Sequence, residues 1–268
     1  MVCSVCYPRH SIVLDRVKGQ CKPGTLEALL HSLHETCDST GTPSAVMAYA
    51  ETPQAISAYL TSLADLTHLP LFIDSPSSEV RLAGARFARE IGIEKRCVYN
   101  TLNLGVTDLE ISQLKETGVS SAVLLAFNPK DLELKGKIYL LEDGGGMLPD
   151  GLMEMASQAG ITRPLIDTAV TAADQKAGSA LRAIMVAKAK WGAPCGCALH
   201  NAIESVTPQR ELNQEEKRVF RHMDTASSVM PILAGADFVM YGAIEYSRRV
   251  LPAAAFADAM MAQAAADL

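Results

Sequence analysis

One unit recurs along nearly the whole chain and restricts its fold more than any other feature. A helix-like stretch closes, a short apolar run follows, and the run stops at a polar residue. EIGIEKRCVYN stops at Asn100, ETGVSSAVLLAFN at Asn128, QAGITRPLIDT at Asp167, KWGAPCGCALHN at Asn201 and LAGADFVMYGAIE at Glu245. TPSAVMAYAE and HLPLFIDS repeat the unit without its glycine and stop at Glu51 and Asp74. In the other five, Gly92, Gly118, Gly160, Gly192 and Gly235 stand where a helix ends on a left-handed residue. The runs are continuously apolar, as strands buried on both faces should be. With the opening run Val2–Tyr7, the expected strands are 2–7, 44–50, 70–74, 96–100, 121–128, 163–167, 194–200 and 237–241.

The segments between them have helical periodicity. Leu26, Leu29, Leu30 and Leu33 form one stripe, and Val80, Ala83, Phe87 and Ile91 another. Thr52 before Pro53 reads as an N-cap and a first-turn proline. Eight alternating β and α units predict a parallel sheet closed into a (β/α)8 TIM barrel, one domain over 1–268. An open doubly wound sheet is the alternative, but it usually carries a glycine fingerprint after its first strand, and this chain has none.

In such barrels the active site lies at the C-terminal ends of the strands. Glu51, Asp74, Asn100, Asn128, Asp167, Asn201 and Glu245 would then ring one mouth. Any one of them, taken alone, is equally well a turn or capping residue. A series at successive strand ends reads better as a binding site. Its carboxylates and amides suit a neutral heterocycle rich in N–H donors and lone pairs, and suit a phosphate poorly.

Several chemistries drop out. No expected strand ends in the lysine that a Schiff-base barrel needs, and no G-x-x-x-x-G-K-[ST] or G-x-G-x-x-G occurs. A net charge of −6 argues against broad nucleic-acid binding, while 49% hydrophobic residues argue against disorder. The seven cysteines form no secreted framework, and no uncharged stretch is long enough for a membrane helix, so a cytoplasmic chain is expected. Cys3 and Cys6 would point to opposite strand faces, and Cys195 and Cys197 read as core residues; no metal is expected. Glu142-Asp143-Gly144-Gly145-Gly146 reads as a flexible loop above the barrel. His200 would face the mouth, as a binding aid or a hydrogen-bonded bystander. Arg248 and Arg249 read as a solvated helix face, and Trp191 as packing.

HSIVLDRVKG, STGTPSAVMAYAETPQAI, VYNTLN, LLAFNPKD, RPLIDTAV, GCALHNA, GADFVMYGAIE and VLPAAAFADAM occur in this order along the chain. Through them it resembles the H subunit family of the tetrahydromethanopterin S-methyltransferase complex. It resembles in particular the bacterial relatives that pass methyl groups between corrinoid proteins and tetrahydrofolate in O-demethylase, methylamine or betaine systems. In the wider superfamily of pterin-binding barrels, strand-end acids and amides hold the pterin ring. The resemblance therefore implies that Asp74, Asn100 and Asp167 take the pterin edge, with Asn128 and Gly196 among the binding positions. Asn201 would lie near N5, and Asp74 or Asp167 would relay a proton through water.

The implied activity is methyl transfer between a methylated corrinoid protein and N5 of tetrahydrofolate. No Asp-x-His-x-x-Gly motif occurs, so the corrinoid would belong to a partner protein; a homodimer is also expected. The same reaction on tetrahydromethanopterin is the alternative, and a noncatalytic barrel that docks a corrinoid protein a weaker one. A dihydropteroate synthase is weaker too, because no basic pocket for a diphosphate is evident.

Overall fold

The structure is a computed structural model that describes residues 1–206 and 212–266. Strand β1 (Val2–Val5) is followed by a small antiparallel pair, β2 (Val13–Asp15) and β3 (Gln20–Cys21), and by helix α1 (Thr25–Thr40). Then come β4 (Ala45–Tyr49), α2 (Pro53–Leu66), β5 (Leu71–Asp74), α3 (Ser78–Glu90), β6 (Cys97–Leu102) and α4 (Asp108–Thr117). The middle of the chain forms β7 (Ser121–Leu125), α5 (Leu134–Asp143), α6 (Leu152–Gln158), β8 (Arg163–Asp167) and α7 (Ala177–Trp191). It closes with β9 (Cys195–Cys197), α8 (His200–Val206), α9 (Gln214–Leu233), β10 (Phe238–Ala243) and α10 (Ser247–Ala266). The parallel strands close in the order β1-β10-β9-β8-β7-β6-β5-β4, with β1 pairing both β10 and β4. The fold is a (β/α)8 TIM barrel, and closure removes the open-sheet alternative.

All eight expected barrel strands form, several of them shorter than expected. β1 stops at Val5 because Cys6 turns to φ 59°. β7 stops at Leu125 and β9 at Cys197, so Asn128 and Asn201 sit beyond their strands. Gly118 and Gly192 close α4 and α7 in the left-handed conformation. Thr52 caps α2 as expected, its Oγ1 accepting the Ala55 N–H at 3.0 Å.

Two strand faces hide inside runs that read as uniformly apolar. Val2, Ala45, Met47, Phe72, Val98, Val123, Phe238 and Met240 point inward, with Ala198 and Leu165, and fill the barrel lumen. The outward set, including Val46, Leu71, Ile73, Tyr99 and Leu124, packs under the helices. Leu26, Leu30 and Leu33 of the α1 stripe are buried, each such side chain contributing about 1.5–3 kcal/mol, while Leu29 is half-buried.

The α3 stripe holds in part: Val80 is buried and Phe87 packs half-buried against the core, but Ile91 is exposed, and the buried face extends through Arg81, Gly84, Ala85 and Ala88. Gly84 permits this, since a Cβ there would sit 2.7 Å from Ile73 Cγ2 and 2.8 Å from Ile56 Cγ1. Among the described residues, no helix is long and apolar enough to cross a membrane.

Candidate active site

The inward alternation carries the polar strand ends into the lumen. Phe72 and Val98 point inward, and so, two residues on in each strand, do Asp74 and Asn100; Leu165 is followed in the same way by Asp167. Strand register aligns them: Tyr49, Asp74 and Asn100 are successive partners on β4, β5 and β6, and Leu125, Asp167 and Gly196 on β7, β8 and β9. The result is a polar layer resting on the apolar floor of Met47, Phe72, Val98, Val123 and Met240.

Asp74 Oδ1 accepts from Asn100 Nδ2 at 3.0 Å. Burial pushes the Asp74 carboxyl up to about 6, against the opposing pull of the Asn100 hydrogen bond and the Arg81 charge. Asp167 is 6% exposed, and its Oδ1 accepts the Ala169 N–H at 2.8 Å. Burial raises it to about 6 as well, opposed by the Ala169 N–H and the Lys137 charge. Two carboxyls that change charge near neutrality therefore face one lumen, able to accept from N–H donors as anions or to hold a proton.

Neither acid is held by its strand alone. Arg81 is buried, donating from Nη1 to Ser75 O at 2.8 Å and from Nη2 to Glu110 Oε1 at 2.8 Å, while Tyr99 OH donates to the same Glu110 oxygen. This buried ion pair fixes the turn just after Asp74. On the other side, Lys137 Nζ donates to Ala169 O at 2.9 Å and fixes the turn after Asp167.

The remaining expected positions divide. Asn128 is buried with its amide committed to the loop after β7: Nδ2 donates to Gly136 O at 3.1 Å, and Oδ1 accepts the Lys130 and Asp131 N–H groups. Asn201 lies in the first turn of α8, where Nδ2 donates to Val170 O at 2.9 Å and ties α8 to the loop after β8. Gly196 leaves room for β10, since a Cβ there would meet Phe238 O at 2.0 Å. Glu51 and Glu245 form the outer rim, Glu51 near Arg16 at 3.6 Å and Glu245 on His10 at 2.9 Å.

His200 does not reach into the mouth freely: Nδ1–H donates to Met240 O at 2.9 Å and the ring lies over Gly242. Arg249 is no solvated residue; it clamps α10 to α9 through buried Asp224 and Thr225. The glycine run is packed rather than loose, a tight turn with Gly144 buried and Asp143 Oδ1 accepting the Gly145 N–H. Cys6 lies off the strand, its Sγ 3.5 Å from Cys21 Sγ, and among the described residues no three His, Cys, Asp or Glu side chains gather as a metal set.

Sequence reasoning missed His10 and Lys137. The Cys6 N–H donates to His10 Nδ1 at 3.1 Å, so Nε2–H donates to Glu245, and Tyr7 stacks on the ring at 4.3 Å. Burial acts to raise the Glu245 carboxyl, but hydrogen bonds from His10 and from its own backbone carry it below the usual value. The signal for Lys137 is its position, a lysine on the same helical stripe as Leu140 and Leu141.

The whole chain, residues 1–268, matches the family described as Tetrahydromethanopterin S-methyltransferase MtrH subunit. It belongs to the MtrH family. The H subunit of tetrahydromethanopterin S-methyltransferase from Methanothermobacter marburgensis is 41% identical to this MtrH-family chain over 265 residues, covering 99% of it and 86% of the relative. The corresponding protein of Methanocaldococcus jannaschii is 35% identical over 274 residues, with the same two coverages. Among solved structures, Yersinia pestis dihydropteroate synthase with a pterine-sulfa conjugate superposes with a TM-score of 0.62 at 13% identity, covering 90% of each chain. The Vibrio fischeri synthase gives 0.60 at 13%, covering 98% of this chain and 93% of its own. At such identity these two speak for the barrel fold alone.

Proposed function

We propose that this MtrH-family methyltransferase moves a methyl group between N5 of a reduced pterin and a corrinoid held by a partner protein. The observation that carries the reading is the inward layer of Asp74, Asn100 and Asp167 over an apolar floor. A pterin edge offers N–H donors beside ring acceptors; two carboxylates and an amide match that mixture, and the apolar floor takes the ring plane. The relatives are named for tetrahydromethanopterin, which favours that pterin over the tetrahydrofolate expected from sequence. Both share the ring and N5, so the same layer serves either.

In this reading Asp74 and Asp167 bind and orient the ring, and Asn100 keeps Asp74 aimed. Asn201 stands near N5, its Nδ2 shared with the Val170 carbonyl. The pterin amine is a poor leaving group, so release of its methyl requires a proton on N5; a carboxyl near 6 supplies one through water. In the other direction N5 attacks as a neutral amine, and the same carboxyl takes the proton back. The corrinoid, when its carrier docks on the mouth, supplies the methyl donor or acceptor. Rigid positioning alone can be worth about 7 kcal/mol or more in a well-aligned complex. The relatives' designation as one subunit of a methyltransferase supports a protein partner, and the rim of Glu51 and Glu245 is the surface such a carrier would meet first.

Single-turnover methyl transfer from a methylated corrinoid protein, run with tetrahydromethanopterin and with tetrahydrofolate, tests this function. Transfer to either, faster with the first, is expected. No transfer to either pterin contradicts it.

A further inference from the structure

The two acids of the site are supported alike, with one difference. Each has a buried cation gripping a backbone carbonyl one or two residues downstream, Arg81 on Ser75 O and Lys137 on Ala169 O. Arg81 is neutralised by Glu110 at 2.8 Å. Lys137 is 2% exposed, and among the described residues no carboxylate lies within 4.0 Å of its ammonium, although surface lysines such as Lys176, Lys188 and Lys190 all have one. A leucine would continue the α5 stripe without burying a charge, so packing does not account for a lysine here.

The Lys137 contact also lies where the backbone needs holding. Ala169 is a non-glycine residue at φ 59°, a conformation that persists only when its surroundings enforce it. Its carbonyl accepts from Lys137 and its N–H donates to Asp167 Oδ1, so the residue links ammonium to carboxylate. Asn128 supports the same arrangement by binding the carbonyl of Gly136, the residue before Lys137.

We propose that Lys137 is a positioning residue of the site, its ammonium clamping the Ala169 turn so that the Ala169 N–H stays on Asp167, and its charge balancing that carboxylate. The role in catalysis rests on the pterin reading above; the coupling of Lys137 to Asp167 does not. The titratable groups whose charges reach Asp167 are Lys137 on α5 and Cys197 on β9, and those that reach Lys137 are Asp167 and Cys197. Burial pushes the Cys197 thiol up to about 12, so it is neutral at working pH; burial also lowers the Lys137 ammonium, the Asp167 carboxylate opposes that, and Lys137 is the counter-charge. Without it Asp167, already raised by burial, stays protonated through neutrality and loses acceptor capacity for a donor-rich ring.

The test follows the Asp167 carboxyl directly by NMR on protein labelled with 13C at aspartate carboxyls, its signal identified by its disappearance in Asp167→Asn. Lys137→Met removes charge and clamp, and Lys137→Gln keeps a donor for Ala169 O while removing the charge. If the methionine variant does not fold, the glutamine variant carries the test. In the folded variants the Asp167 midpoint is expected to move upward from about 6, further in the methionine variant, which loses the clamp as well as the charge. Affinity for tetrahydromethanopterin should fall at pH 7 and return toward wild type at pH 9. An unmoved midpoint, or an affinity loss equal at every pH, overturns the proposal. A shifted midpoint in a protein that binds neither tetrahydromethanopterin nor tetrahydrofolate upholds the coupling and overturns the pterin reading instead.

Discussion

Replacing Asp167 by asparagine removes a charge and almost nothing else. The new Oδ1 can still accept the Ala169 N–H that Asp167 accepts at 2.8 Å. The folded chain holds this carboxyl at about 6 against an ordinary 3.8, so folding favours its protonated form. Because the folded pKa is raised, the penalty of ionising Asp167 is absent below about pH 4, grows between about 4 and 6, and is complete above 6. Its full size is about 3 kcal/mol, from about 1.4 kcal/mol for each tenfold change in proton affinity. An amide donor left without a protein partner returns about 1 kcal/mol of that. Asp167→Asn should therefore be more stable than wild type by about 2 kcal/mol at pH 8, or roughly 4–8 °C in melting temperature for a chain of this size. The gain should shrink below pH 6, vanish between about pH 4 and 5, and turn into a loss of up to about 1 kcal/mol at still lower pH, where only the unpartnered amide donor remains. Thermal unfolding of both proteins from pH 4 to 8 reads this out. An asparagine variant less stable at pH 8, or a gain independent of pH, would refute the reasoning that burial of an ionised acid sets the value.

Arg81→Met should destabilise by about 3–5 kcal/mol in urea unfolding, because it leaves the Glu110 carboxylate buried without its partner. Gly196→Ala should lower the melting temperature and the soluble yield, since its Cβ meets the Phe238 carbonyl and the β9–β10 seam must open; about 1–3 kcal/mol is expected from thermal unfolding. Asn201→Ala should slow single-turnover methyl transfer by roughly tens- to hundredfold with little change in pterin affinity. A normal rate with a lowered melting temperature would instead make its bond to the Val170 carbonyl its whole role.

The barrel is legible because seven of its eight strands begin apolar runs that a polar residue closes, and Asp74, Asn100 and Asp167 are legible because they close three of those runs. What the pattern did not carry lies in contacts between distant segments. The α3 stripe does not include Arg81, which looks like a surface residue until Glu110, 29 residues on, turns it inward. Lys137 is hidden for the same reason: it stands on a helix rather than at a strand end, and reaches Ala169 across 32 residues. His10 meets Glu245 only because the barrel closes β1 against β10. Asn128 and Asn201 end apolar runs in sequence but lie beyond their strands, where their amides bind the loop after β7 and the Val170 carbonyl.

Calorimetric titration with tetrahydromethanopterin bears most directly on the central claim that the inward acids hold a reduced pterin. Wild type at pH 7.5 should bind one equivalent. Asp74→Ala and Asp167→Ala, each still folded, should each bind more weakly by about 1–3 kcal/mol, the cost of leaving ring donors without acceptors. Undiminished affinity in both folded variants, or no binding by the wild type, would contradict it.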